Sequence, residues 1–233
     1  MNTSNLNLPY TIIRSSRRKT AAIKISDKGI EVRIPAWVDD EWVDQWLVKR
    51  RSWIEKHYFE QAKNNERFCL NIKQGAAFPL LGESYALNWC KDSRTSVSLD
   101  NNVLKVVISN RSKKEIEECV RQALVRWYKV QAEEFLKERV DYWQIVTGLS
   151  CSSLKIKGFK RRWGSCSVAG EVSLNWRLVM APQELIDYVV IHELAHLRHM
   201  NHSSEFWKLV GAFCPDWKNR RKELNQRIAW VLW

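Results

Sequence analysis

The sequence predicts an α+β fold, and three observations carry that prediction. Over residues 1–110, short runs of alternating apolar and polar side chains are separated by turn signals at Asp27-Lys28-Gly29, Gly75, Gly82 and Asp100-Asn101-Asn102, which is how strands read in sequence. From about 112 to 143, Ile116, Val120, Leu124, Trp127, Val130, Phe135 and Leu136 recur at helical spacing. The run Ile186-Asp187-Tyr188-Val189-Val190-Ile191 is strongly apolar and leads into a cluster of histidines, as expected of a buried helix that delivers polar groups to a cleft. The chain is therefore expected to comprise a small β-rich unit over 1–110, then a helical connector and a second unit over 111–233. No Pro/Gly/Ser-rich linker marks the boundary.

Each element follows from local chemistry. Residues 21–25 and 30–34 alternate around the Asp27-Lys28-Gly29 turn like a hairpin. A helix should follow Asp39-Asp40, carry Trp42, Trp46 and Ile54, and reach about Ala62. Short strands are expected over 77–87, 96–99 and 103–108, and again over 154–157, 163–167 and 172–175, with Ala169-Gly170 as the last turn. Pro182 suits the first position of the histidine-bearing helix, where a missing N–H is harmless. The sequence Met200-Asn201-His202-Ser203-Ser204 should end that helix, with Asn201 or Ser203 capping the next.

His192-Glu193-Leu194-Ala195-His196, with His202 six residues on, carries the chemistry. Four of the five histidines fall within residues 192–202, and only His57 stands apart. Residues four apart share a helix face, so His192 and His196 can both reach an ion about 2 Å away. Glu193 sits one residue round, where the HExxH pattern places a general base. The third ligand is expected to be His202, with His199 as a supporting or exposed residue and Glu205 as the alternative if a carboxylate closes the site. Zinc is the expected cofactor, one ion per chain, although a three-histidine set also binds Co, Ni or Mn. The metzincin pattern fits poorly: His199 stands where that pattern wants Gly, and no methionine follows Met200.

Composition agrees with a globular hydrolase. The chain has 233 residues and a formal net charge of +12. It has no run of eighteen apolar residues and no leader-like start, so a cytoplasmic location without membrane contact is expected. Six cysteines without a CxxC pair read as reduced thiols, and thirteen tryptophans read mostly as core. Residues 1–150 carry 25 basic and 19 acidic side chains, and 151–233 carry 13 and 7. Lys155, Lys157, Lys160, Arg161 and Arg162 form one basic cluster, and Lys218, Arg220, Arg221 and Lys222 another. Such clusters suit nucleic acid or nucleotide phosphates, or simply a solvated face.

The motifs Arg162-Trp163-Gly164-Ser165-Cys166-Ser167, Asn175-Trp176-Arg177-Leu178, Ala181-Pro182, His192-Glu193-Leu194-Ala195-His196-Leu197 and Asn201-His202-Ser203-Ser204-Glu205-Phe206-Trp207 resemble the YgjP-like metallopeptidase family, related to the SprT and WLM zinc metallopeptidases. The resemblance implies a zincin-like unit with a short sheet, with His192, His196 and His202 on zinc and Glu193 as base. It also suggests Trp163, Gly164, Ser165 and Cys166 as a wall pairing with an extended peptide or protein substrate. Asn175 and Arg177 are further candidates for orienting a substrate oxygen. Two other readings share the metal motif: a nucleotide pyrophosphohydrolase, and a DNA-associated protease or nucleic-acid-binding module.

Overall fold

The computed structural model describes residues 8–26, 29–68, 70–160, 162–227, 230 and 233, with the backbone alone at 65 and 67. The chain forms two compact units, 1–68 and 69–233. The boundary expected near residue 110 thus falls within the second unit, where the strand Val103–Ser109 packs against the helix that follows it.

The first unit is a three-stranded sheet backed by helices. Strands β1 (Tyr10–Ser15), β2 (Ala22–Ser26) and β3 (Gly29–Pro35) lie in the order β1-β3-β2. The β2–β3 hairpin pairs Ala22 with Arg33 and Ile25 with Ile30, as the alternation requires, while its turn at 27–28 lies outside the described residues. β1 pairs in parallel with β3. The expected single helix is two, α1 (Asp40–Val48) and α2 (Arg51–Phe68), and Asp39 caps the first by accepting from the Trp42 N–H. Tyr10, Ile30, Val32, Ile34, Val43, Leu47 and Ile54 form the core.

In the second unit, β4 (Ala77–Leu80), β5 (Glu83–Asp92), β6 (Ser96–Asp100) and β7 (Val103–Ser109) make a sheet of order β4-β5-β7-β6. The strand segment expected over 77–87 reverses at Leu81-Gly82, both at positive φ, where Gly82 signals a turn. A Cβ on Gly82 would stand 3.0 Å from Pro182 Cα, so glycine permits both the turn and its contact. Leu81 N–H donates to Val179 O at 2.7 Å, and the Tyr128 hydroxyl to Pro79 O at 2.8 Å.

Helix α3 (Ile116–Thr147) buries Val120, Leu124, Tyr128, Ala132, Leu136 and Val140. With Cys119 and Ala123 also buried beside this stripe, the opposite face leaves Val130, expected inside, 59% exposed. A second sheet follows, of order β8-β10-β9, built from β8 (Ser153–Lys157), β9 (Gly164–Cys166) and β10 (Glu171–Asn175). β8 runs parallel and β9 antiparallel to β10, leaving β9 on an edge. A 3-10 turn (Trp176–Met180) leads to α4 (Gln183–Ala195), then α5 (Ser204–Phe213) and α6 (Trp217–Gln226). Pro182 sits at the position just before α4 rather than within it.

α4 is buried along nearly its whole length. Of its two buried acids, Asp187 and Glu193, Asp187 accepts from Arg139 of α3 at 2.7 and 3.0 Å. Only Trp163, Trp176 and Trp230 of the tryptophans are buried, and Trp37 is 77% exposed. The indole is large and usually keeps one edge in solvent, which is why a mostly core reading overshoots. The five described cysteines are free thiols, and Cys69 lies outside the described residues. No helix among the described residues is long and apolar enough to cross a membrane.

Candidate active site

α4 ends at Ala195, and the chain turns so that Ser203 caps α5 by accepting from the Phe206 N–H. This break brings His202 back over the helix. The ligand-capable nitrogens of His192, His196 and His202 all lie within 4.8 Å of one another, and the Nε2 atoms of His192 and His202 are 3.1 Å apart. The buried ring of Phe206 packs against all three imidazoles, with centroids 4.6–4.9 Å away. Trp207 stacks on His202 at 5.5 Å and on Trp217 at 4.0 Å.

The electrostatics suit cation binding. Burial, then the neighbouring His196 and His202, pushes His192 down to about 3, and burial also lowers His196. Both rings are therefore neutral near pH 7, as metal ligation requires. His196 Nδ1 faces His199 O at 3.0 Å, which orients the ring and leaves Nε2 toward the group. His199 thus contributes its carbonyl. His192 Nδ1 is buried without a hydrogen-bond partner among the described residues. Glu205 instead pairs with Lys208 at 2.9 Å. Three convergent imidazoles fit zinc or a neighbouring divalent transition metal.

Glu193 is buried beside this group. Burial pushes its carboxyl up to about 8, opposed by Arg162. A Cβ at Gly164 would lie 2.6 Å from Glu193 Oε1, so β9 passes directly against the carboxylate. Glu193, His192 and His202 share a cavity of about 430 Å³ with Arg162, Trp163, Gly164, Tyr188, Trp207, Arg221 and Asn225 among its walls. Burial pushes the Tyr188 phenol up to about 12 and the Cys166 thiol to about 11.

The other expected residues divide. Trp163 and Gly164 line the cavity, while Ser165 and Cys166 continue β9, paired with Ser173 and Val172. Asn175 is fully buried and outside the cavity wall; its amide donates to Phe159 O at 3.1 Å and Arg162 O at 3.0 Å, tying down the segment that enters β9. Arg177 donates to Trp233 O at 3.1 Å and lies over Trp176.

The basic clusters disperse as well. Lys155 pairs with Glu171, Arg220 with Asp216, and Arg162 and Arg221 reach the cavity, while Arg161 lies outside the described residues. Arg221 was expected only as a member of a basic cluster, and Tyr188 and Asn225 were not expected at the site. Tyr188 stands one turn before His192, a spacing that could have revealed it.

Taken together, an HExxH helix, a third histidine from the turn just before the next helix and a neighbouring edge strand define a metal-dependent hydrolase. The sequence matches the model of the YgjP-like metallopeptidase domain over residues 19–227, and the chain belongs to that family. Two solved structures are similar over part of the chain, both metallopeptidase zymogens. Pyrococcus abyssi abylysin is 24% identical, covering 38% of this chain and 90% of its own, with a TM-score of 0.36. Methanocaldococcus jannaschii jannalysin is 23% identical, covering 40% and 96%, with a TM-score of 0.36. No curated protein matches the sequence.

Proposed function

We propose that the protein is a zinc peptidase that uses Glu193 as general base. The observation that carries this reading is the convergence of three imidazoles, two of which share one cavity with a buried carboxylate. His192, His196 and His202 would hold the ion. When bound, zinc supplies Lewis acidity toward the scissile carbonyl and toward an attacking water. Glu193 takes the proton that water releases, the oxygen bonds to the acyl carbon, and Glu193 returns the proton to the nitrogen as the C–N bond breaks.

The free edge of β9 offers backbone groups to an extended peptide, a mode tolerant of side-chain sequence. Gly164 lets that strand lie against Glu193, so a paired peptide would present its carbonyl near the base.

The test is mass spectrometry of products from a mixture of unfolded protein, DNA-bound protein and nucleoside triphosphates, incubated with the zinc-loaded wild type and with Glu193→Gln. New peptides made only by the wild type are expected, at equal metal content in both proteins. Nucleoside monophosphates made only by the wild type, without peptides, would replace the peptidase with a pyrophosphohydrolase.

A further inference from the structure

One corner of the cavity is furnished with hydrogen-bond donors and no acid. Arg221 and Asn225 stand one turn apart on α6 and line the same cavity. Tyr188 lines it from α4, which packs against α6, and its hydroxyl senses the Arg221 charge. Among the described lining residues the sole carboxylate is Glu193, whose charged neighbour is Arg162. Among the described residues Arg221 makes no ion pair. Its guanidinium lies 5.4 Å over Trp207, itself stacked on Trp217, so the fork is held in place before any ligand arrives.

We propose that Tyr188, Arg221 and Asn225 form a carboxylate subsite, which makes the enzyme select peptides that carry a carboxylate close to the scissile bond. The proposal rests on the peptidase reading and names its substrate class. An ionised carboxylate only accepts hydrogen bonds, and a guanidinium fork, a phenol and an amide are donors arranged to fill its lone pairs. A neutral amide of the same shape offers one acceptor oxygen rather than two and brings no charge to meet the guanidinium. Arg221 is solvent-exposed at the rim, so part of its effect is attraction of the incoming anion and should weaken with salt. The carboxylate can belong to an acidic side chain or to a free peptide terminus, and both present the same two oxygens.

The experiment compares otherwise identical fluorogenic peptides with Glu or Gln at each position flanking the cleaved bond, and with a free or amidated terminus. Wild type, Arg221→Met and Arg221→Lys are assayed at low and high salt. The wild type should favour one carboxylate peptide by about ten-fold in kcat/KM, mainly through KM. High salt should shrink that ratio, Arg221→Met should bring it near one, and Arg221→Lys should keep part of it. The arm showing the preference identifies side chain or terminus.

Equal cleavage of the charged and neutral peptides by the wild type overturns the proposal, as does a preference that persists in Arg221→Met. Titrating metal-free protein with the Glu and Gln peptides reads the same subsite without chemistry. Tighter binding of the carboxylate peptide that depends on Arg221, with no peptide ever cleaved, would keep the subsite and remove the peptidase reading. Equal binding of both peptides overturns the subsite itself. Displacement of the Glu peptide by pyrophosphate at far lower concentration than by glutarate overturns the assignment to peptides.

Discussion

Gly164 and Glu193 touch so closely that no side chain fits between them: a Cβ at 164 would stand 2.6 Å from Oε1, 2.7 Å from Cγ and 2.9 Å from Cδ of Glu193. The edge strand and the metal helix therefore fix each other's position through one missing methyl group. Gly164→Ala should push the carboxylate aside and lower kcat/KM by about a hundred-fold, the usual consequence of an ångström-scale misplacement. Metal content should stay near one equivalent, because the three imidazoles are on other residues. A variant with normal kinetics would show that the Glu193 position is immaterial.

The choice of third ligand is tested by removing rings one at a time. His202→Ala should lose most bound zinc in elemental analysis after dialysis, and it should lose the rise in melting temperature that zinc gives the wild type. His199→Ala should retain both, since its backbone carbonyl, not its ring, faces His196. Zinc loss in the His199 variant alone would reverse the assignment.

Arg139 and Asp187 join α3 to α4 through two hydrogen bonds, and their side chains are only 12% and 11% exposed. Arg139→Met leaves Asp187 without its partner in a dry setting and should destabilise the second unit by about 3–5 kcal/mol in denaturant unfolding. Adding Asp187→Leu to that variant should restore a good part of the loss, because the stranded charge is then gone. No recovery in the double variant would argue that packing, not the ion pair, dominates.

Cys214 provides a pH test away from the metal. Burial pushes its thiol up from 9.0 to about 11. A raised folded-state value means that the contribution to stability is fully present below pH 9 and is lost as pH climbs through 11. Iodoacetamide at pH 8 should therefore modify exposed Cys90 and spare Cys214, with Cys214 labelling appearing only in strong alkali or denaturant. Peptide mapping that finds Cys214 labelled alongside Cys90 at pH 8 would contradict this environment.

Much of the site could be read from sequence because its grammar is local. His192, Glu193 and His196 need only one helical turn, and the break before Ser203 needs only a capping residue. The β2–β3 hairpin was equally plain, since both strands flank one turn. What escaped depends on distant pairings. The parallel partner of β1 lies beyond the intervening β2, and Tyr10 gives no local sign that it will face Ile30. α6 is polar almost throughout, with Leu224 its one buried residue. Arg221 therefore read only as part of a basic run, either solvated or facing phosphates, and its cavity position emerges when α6 packs on α4. Asn175, a candidate for orienting substrate or for an ordinary turn role, has its side chain engaged by three backbone groups, contacts that its sequence neighbours do not reveal.

The bond from Leu81 N to Val179 O joins segments almost a hundred residues apart, immediately ahead of the metal helix. Closing so long a loop is an entropic expense that local helix formation does not meet, and the turn that makes the contact exists only where β4 pairs with β5. The histidine segment is consequently a dependent part of the molecule: a fragment starting at the connector helix would carry every candidate ligand and still lack the turn against which Pro182 and its helix are seated.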